Sequence, residues 1–190
     1  MNNLTDVVKK LLIVNVAAFF LVSGVFPDYL PMLAMHSPID SDYFAPYQLV
    51  THMFMHANIG HLMFNMLSLF FLGPYVERAL GPKRFVILYF VSGFAAMAAH
   101  FLISGVPVLG ASGAIYGVVF AFIAMFPDVK LMLLIPPIPI KARYLALGLI
   151  AYDLIMGFQG TSGTAHFAHL GGALAGVLLI VSWRMSNFKF

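Results

Sequence analysis

Ser112-Gly113-Ala114-Ile115-Tyr116-Gly117-Val118-Val119-Phe120-Ala121-Phe122-Ile123-Ala124-Met125-Phe126 is a charge-free run, opened by a serine and closed by Pro127-Asp128. As a helix it is about 22 Å long at 1.5 Å per residue, against a bilayer core of about 30 Å. If its Pro127 end reaches one membrane interface, its serine end stops inside the bilayer. The preceding residues 105–111 must then dip in as irregular backbone. Such backbone is tolerated at that depth only where protein buries it or a water-filled cavity lies beside it. The run therefore predicts a short span with Ser112 at the floor of a wet pocket that opens to one side.

The rest of the chain supports a membrane reading. Of 190 residues, 62% are hydrophobic and 9% charged, and the mean hydropathy is +0.95. Soluble domains run near 45–50% apolar and roughly 25% charged. About 118 apolar residues supply roughly six spans of about 20 each, more than a soluble fold of this size can hide. The expected fold is all-α: a polytopic six-helix membrane bundle with spans at about 11–27, 57–76, 85–104, 112–127, 142–158 and 166–183. What remains suffices for loops and tails only, so residues 1–190 read as one membrane domain. Lys9 and Lys10 before the first span would suit a signal peptide, but five further spans favour an uncleaved first helix. The chain has no cysteine, which excludes disulfides, thiolate metal sites and a cysteine nucleophile.

The charges give an orientation. Lys9, Lys10, Arg78, Lys83, Arg84, Lys130, Lys141, Arg143, Arg184 and Lys189 all fall on one side of the six spans, and the loops at about 28–56, 105–111 and 159–165 contain none. The positive-inside rule makes that side, with both termini, cytoplasmic. The pI of about 9.2 is thus an orientation signal, and no basic stripe suggests a nucleic-acid partner. The long outer loop 28–56 is rich in apolar and aromatic residues such as Tyr29, Met32, Tyr43 and Phe44, and is expected to lie in the membrane interface.

Polar groups inside a bilayer are costly, and each is a candidate for function. Ser112 opens a helix whose free N–H groups and positive dipole end favour a developing oxyanion. The plainer reading is an N-cap followed by small-residue packing through Gly113 and Gly117. His169 lies three residues before Gly172 on a span that also carries Gly176. If the two glycine faces pack together, its imidazole can reach and activate Ser112; a structural hydrogen bond between helices is the alternative. His61 and Asn65, at i and i+4, share a helix face and could hold an oxyanion, or merely join two helices. His56 near the outer end is expected to organise the outer loop, and His166 to lie near the water interface. His100 is the remaining histidine inside a span. Asp153 is the only acid well inside one; it could be the third member of a triad, a proton relay or a structural partner of a Tyr or backbone amide, but no spacing connects it to His169 and a structural role is expected. There is no HExxH and no carboxylate close to a histidine pair in sequence, so no metal is expected.

Taken together, His56-x4-His61-x3-Asn65, Gly110-x-Ser112-Gly113 with Tyr116, and His169-x2-Gly172-x3-Gly176 resemble the rhomboid family of intramembrane serine proteases. The resemblance runs over about residues 9–185 and is closest to a minimal bacterial-type six-span core. It implies Ser112 as nucleophile and His169 as general base of a dyad. The Ser112 N–H, His61 and Asn65 would form the oxyanion hole, with Tyr116 packed on the His169 ring and Gly110, Gly113 and His56 supporting. It also implies no cofactor and no metal, and transmembrane protein substrates met in the lipid of an inner (plasma) membrane and cut near the outer face. A dyad without an orienting carboxylate is expected to turn over slowly. One departure is that family members often carry Trp-Arg in the first outer loop, where this chain has Tyr47-Gln48.

Two other classes fit parts of the pattern. A small transporter would spread ionisable groups along a path through the bilayer, whereas here most cluster in the outer half. A non-catalytic rhomboid-like protein that binds transmembrane helices would not require Ser112 and His169, and both are present.

Overall fold

The computed structural model describes residues 4–39, 41–133, 136–160 and 165–186; Lys189 and residues 161–164 of the loop expected at about 159–165 lie outside them. Among the described residues, eight α-helices form: α1 (Asp6–Gly24), α2 (Leu30–Leu33), α3 (Gln48–Thr51), α4 (Ile59–Leu80), α5 (Pro82–Phe101), α6 (Ser112–Met125), α7 (Ala142–Gln159) and α8 (His166–Met185). The six longest coincide with the six expected spans, displaced by up to five residues at the ends. Four of them, α1, α4, α5 and α8, are long and apolar enough to cross a membrane, and α6 is a shorter apolar helix.

Two departures from the all-α expectation have local causes. Between α6 and α7, Lys130–Met132 (β1) and Pro139–Lys141 (β2) pair antiparallel, and Asp128 beside them forms ion pairs with Lys141 (3.6 Å) and with Arg143. In the first long loop, Met35 and Val108 exchange backbone hydrogen bonds of 2.8 and 3.0 Å, so residues 28–56 are folded against the loop that precedes α6.

Burial runs inward towards α6, where 11 of 14 residues are buried. It packs on α8, α5 and α4. At the periphery, α1 buries four of 19 residues and α7 two of 18. Their outer faces carry exposed Phe20, Leu21, Leu147 and Phe158, an arrangement that suits lipid and not water. At the end of the bundle away from Ser112, Glu77 at the close of α4 caps α1. Its carboxylate accepts from the Val7 and Val8 N–H groups (3.1 and 2.9 Å) and from the Thr5 hydroxyl, satisfying donors that a helix start leaves free.

Candidate active site

The close approach of α6 and α8 is a consequence of glycine. A Cβ added at Gly172 would lie 2.0 Å from the Gly113 carbonyl oxygen, and one at Gly176 would lie 2.3 Å from that of Gly117. The two backbones therefore touch along Gly113/Gly172 and Gly117/Gly176, a spacing that side chains would prevent. This contact fixes the first turns of the helices side by side. Ser112 is the first residue of α6 and His169 lies in the first turn of α8.

The consequence is a bond between residues 57 positions apart: the Ser112 Oγ lies 3.0 Å from His169 Nε2. Ser112 does not cap its own helix, since the N-cap is Ala111 and carries no side-chain bond. The hydroxyl is thus available to the imidazole. The Tyr116 ring, one turn along α6, stacks on His169 with centroids 4.2 Å apart and planes 13° from parallel, which holds the imidazole edge towards Ser112.

On the far edge of the same ring, His169 Nδ1 lies 3.0 Å from Asp153 Oδ1, and His166 Nδ1 lies 2.7 Å from the same oxygen. Asp153, which no sequence spacing connects to His169, is therefore in contact with it, and His166 is buried. The missed link is tertiary: α7 runs beside α8, and no local spacing encodes that pairing. The fold also supplies the carboxylate that the sequence did not place near a histidine pair. Among the described residues, Asp153, His166 and His169 form the group that could hold a metal ion, with one ligand atom from each inside 4.8 Å of the others. As they stand, both Nδ1 atoms face one carboxylate oxygen, Oδ1, at hydrogen-bond distance, and the other, Oδ2, is buried with no hydrogen-bond partner among the described residues.

The oxyanion candidates lie on the opposite flank. His61 and Asn65 are in the first two turns of α4, whose start is capped by Asn58 Oδ1 accepting from the His61 N–H at 2.9 Å. Gly110 has φ +128°, and a Cβ there would lie 2.6 Å from the His61 ring, so glycine is required by both conformation and space. Its N–H donates to the His52 carbonyl at 2.9 Å. The Asn65 side-chain amide nitrogen is buried with no hydrogen-bond partner among the described residues, and the same is true of both His56 ring nitrogens. The N–H groups at the start of α6 have no intrahelical acceptor either. Of these groups, the His61 ring lies against Gly110, two residues before the start of α6.

The loop that frames this region is held by residues the sequence did not single out as anchors. Gln48 is buried and accepts from the His36 and Ala45 N–H groups (3.3 and 3.2 Å) while donating to the Met32 and Tyr43 carbonyls (both 3.0 Å). His52 Nδ1 pairs with the Gln48 carbonyl at 2.6 Å. Tyr47-Gln48 thus sits at the hub of the loop. Burial pushes His52 down to about 4, against the raising effect of its bond to Gln48. Burial, aided by His61 alongside, pushes His56 down to about 4. His100 ties the end of α5 to the Val106 carbonyl at 2.8 Å.

Comparison with known proteins gives the chain's family. The family model for the rhomboid domain matches residues 44–186. The chain is 32% identical over 191 residues to rhomboid protein 1, mitochondrial, of Saccharomyces cerevisiae, covering 96% of this chain and 54% of that one. It is 33% identical over 160 residues to rhomboid protease AarA of Providencia stuartii, covering 72% and 56%. It is 33% identical over 132 residues to rhomboid protease GluP of Bacillus subtilis, covering 68% and 24%. The chain thus spans little more than half the length of the first two. With the family model matching most of its length, the chain belongs to the rhomboid family.

Proposed function

We propose that the chain is an intramembrane serine endopeptidase that cuts single-pass transmembrane proteins near the outer face of a bacterial inner (plasma) membrane. The observation that carries this reading is the 3.0 Å contact between Ser112 Oγ and His169 Nε2 at the start of two glycine-packed helices. In the proposed topology α6 and α7 also span, making six, and both termini are cytoplasmic. The one-sided distribution of Lys and Arg supports this. Ser112 and the Asp128–Lys141–Arg143 cluster at opposite ends of α6 agree with a site that opens outward.

The reaction is acyl transfer. His169 Nε2 accepts the Ser112 hydroxyl proton as Oγ attacks the scissile carbonyl carbon. The carbonyl π pair moves to oxygen, and that oxyanion is met by the N–H groups opening α6 and by the His61 and Asn65 side chains. Collapse breaks the C–N bond, and the leaving amine takes the proton from His169 Nε2. Water from the outer side then adds to the acyl-enzyme, with His169 as base, and releases Ser112. The chain's own groups suffice for every proton moved.

A fluorophosphonate probe tests the nucleophile directly. The expected result is a covalent adduct on the peptide containing Ser112, absent in His169→Ala. An adduct on another residue, or one of equal rate without His169, contradicts the reading.

A further inference from the structure

We propose that Asp153 is a positioning residue for His169, so that the working unit is Ser112–His169–Asp153 and not a serine–histidine pair. This rests on the acyl-transfer reading above and adds to it a third member, delivered by a different helix.

Three observations carry it. The first is the continuous chain of contacts Ser112 Oγ···Nε2–His169–Nδ1···Oδ1 Asp153, with both links at 3.0 Å. An ionised carboxylate can only accept, so Nδ1 must carry the proton. That leaves the lone pair on Nε2, facing the serine, where a base needs it. The second is the placement of Asp153. Of the 18 residues of α7 only Ala142 and Asp153 are buried, and Asp153 is wholly buried. A carboxylate at mid-helix in an apolar span is costly to keep, and this one is aimed at two imidazoles instead of at a lipid-facing or solvent-facing partner. The third is its anchorage. His166 donates to the same oxygen at 2.7 Å, and Tyr152 packs edge-on to the His166 ring at 5.6 Å. The oxygen that faces His169 is therefore also held by a second ring on the same helix, α8.

During the reaction no proton passes to Asp153. The serine proton moves to His169 Nε2 and later to the leaving amine, while the Nδ1 proton stays on the imidazole and keeps its bond to Oδ1. The negative charge beside the ring stabilises the imidazolium that exists between those two steps. The expectation of a slow, carboxylate-free dyad is thereby replaced.

The test uses the full chain in proteoliposomes with a single-pass reporter, together with histidine 15N spectra of the chain in nanodiscs. Wild-type His169, assigned by comparison with His169→Gln, is expected in the Nδ1–H form. Asp153→Leu keeps the shape of the side chain and removes a charge from a lipid-embedded helix, so folding is expected to survive. In it, and in Asp153→Asn, kcat should fall on the order of a thousandfold with KM changed by less than about threefold. His166→Phe should keep the Nδ1–H form and cost less in kcat than Asp153→Leu. A wild-type His169 protonated on Nε2 overturns the proposal whatever the activity. So does an Asp153→Leu protein that cleaves at the wild-type rate, or a His166→Phe loss larger than that of Asp153→Leu. Absence of cleavage by the wild type would strike the protease reading instead, and the tautomer would still decide the placement of Asp153.

Discussion

At the residue scale, the proposed chemistry draws on the Ser112–His169 contact and on buried polar atoms left unpaired by the fold. The clearest is Asn65, whose amide nitrogen is buried without a partner among the described residues. Such a group costs stability unless something occupies it, and the transient oxyanion of acyl transfer is an occupant of the right charge. Asn65→Ala is expected to lower kcat about 10²–10³-fold with little effect on KM, as for loss of one oxyanion donor, measured with the single-pass reporter. A change confined to KM would assign Asn65 to substrate binding. The approach of His169 to Ser112 was legible in the sequence because glycines mark the packing faces, and the placement of His61 and Asn65 on one helix because they stand at i and i+4. Asp153, His52 and Gln48 were not. Their partners lie on other helices or across an irregular loop, where no period relates one residue to the next.

At the element scale, the contact between α6 and α8 decides whether Ser112 and His169 meet. Gly172→Ala puts a Cβ 2.0 Å from the Gly113 carbonyl oxygen, a backbone clash that no rotamer relieves. It is expected to cost about 3 kcal/mol of stability and to separate the two reactive side chains. Gly148→Ala, on α7, meets nothing within 4 Å and should be neutral or stabilising by up to about 1 kcal/mol through helix propensity. Thermal unfolding of the two variants in the same detergent checks the pair; equal stability would contradict the glycine packing. The GxxxG spacings made this contact readable in advance. The β1–β2 hairpin was not, since a three-residue strand leaves too short a pattern. The position of α7 was also hidden. Asp153 is one of its two buried residues, and Ala146, Leu149, Ile150 and Phe158 also pack against the bundle.

At the scale of the whole molecule, composition fixed the membrane class, and the one-sided charges supplied an orientation. The site's frame depends on a loop that hydropathy alone could not fold. Gln48 ties the described part of residues 28–56 together, and the Met35–Val108 bridge with the Gly110-to-His52 bond fastens it to the segment that precedes α6. This frame has a pH limit. His52 and His56 are held neutral by burial, each with a pKa near 4 against 6.5 in the unfolded chain. Below about 6.5 the unfolded chain binds protons that the folded one refuses, so stability is full above that pH and falls as pH drops towards 4. Each histidine accounts for on the order of 3 kcal/mol across that window. The unfolding midpoint should therefore drop steeply from pH 6.5 to 4, and less so in His52→Gln. A flat profile would show that these rings are not sealed from water.

The central claim is that Ser112, set at the start of a short α6, hydrolyses a peptide bond of a membrane-spanning substrate. The most direct measurement is cleavage of a tagged single-pass reporter in proteoliposomes by the wild type and by Ser112→Ala, with fragment masses locating the cut. Cleavage by the wild type near the outer end of the reporter's span, abolished in the variant, is the predicted result. Equal cleavage by both would contradict it.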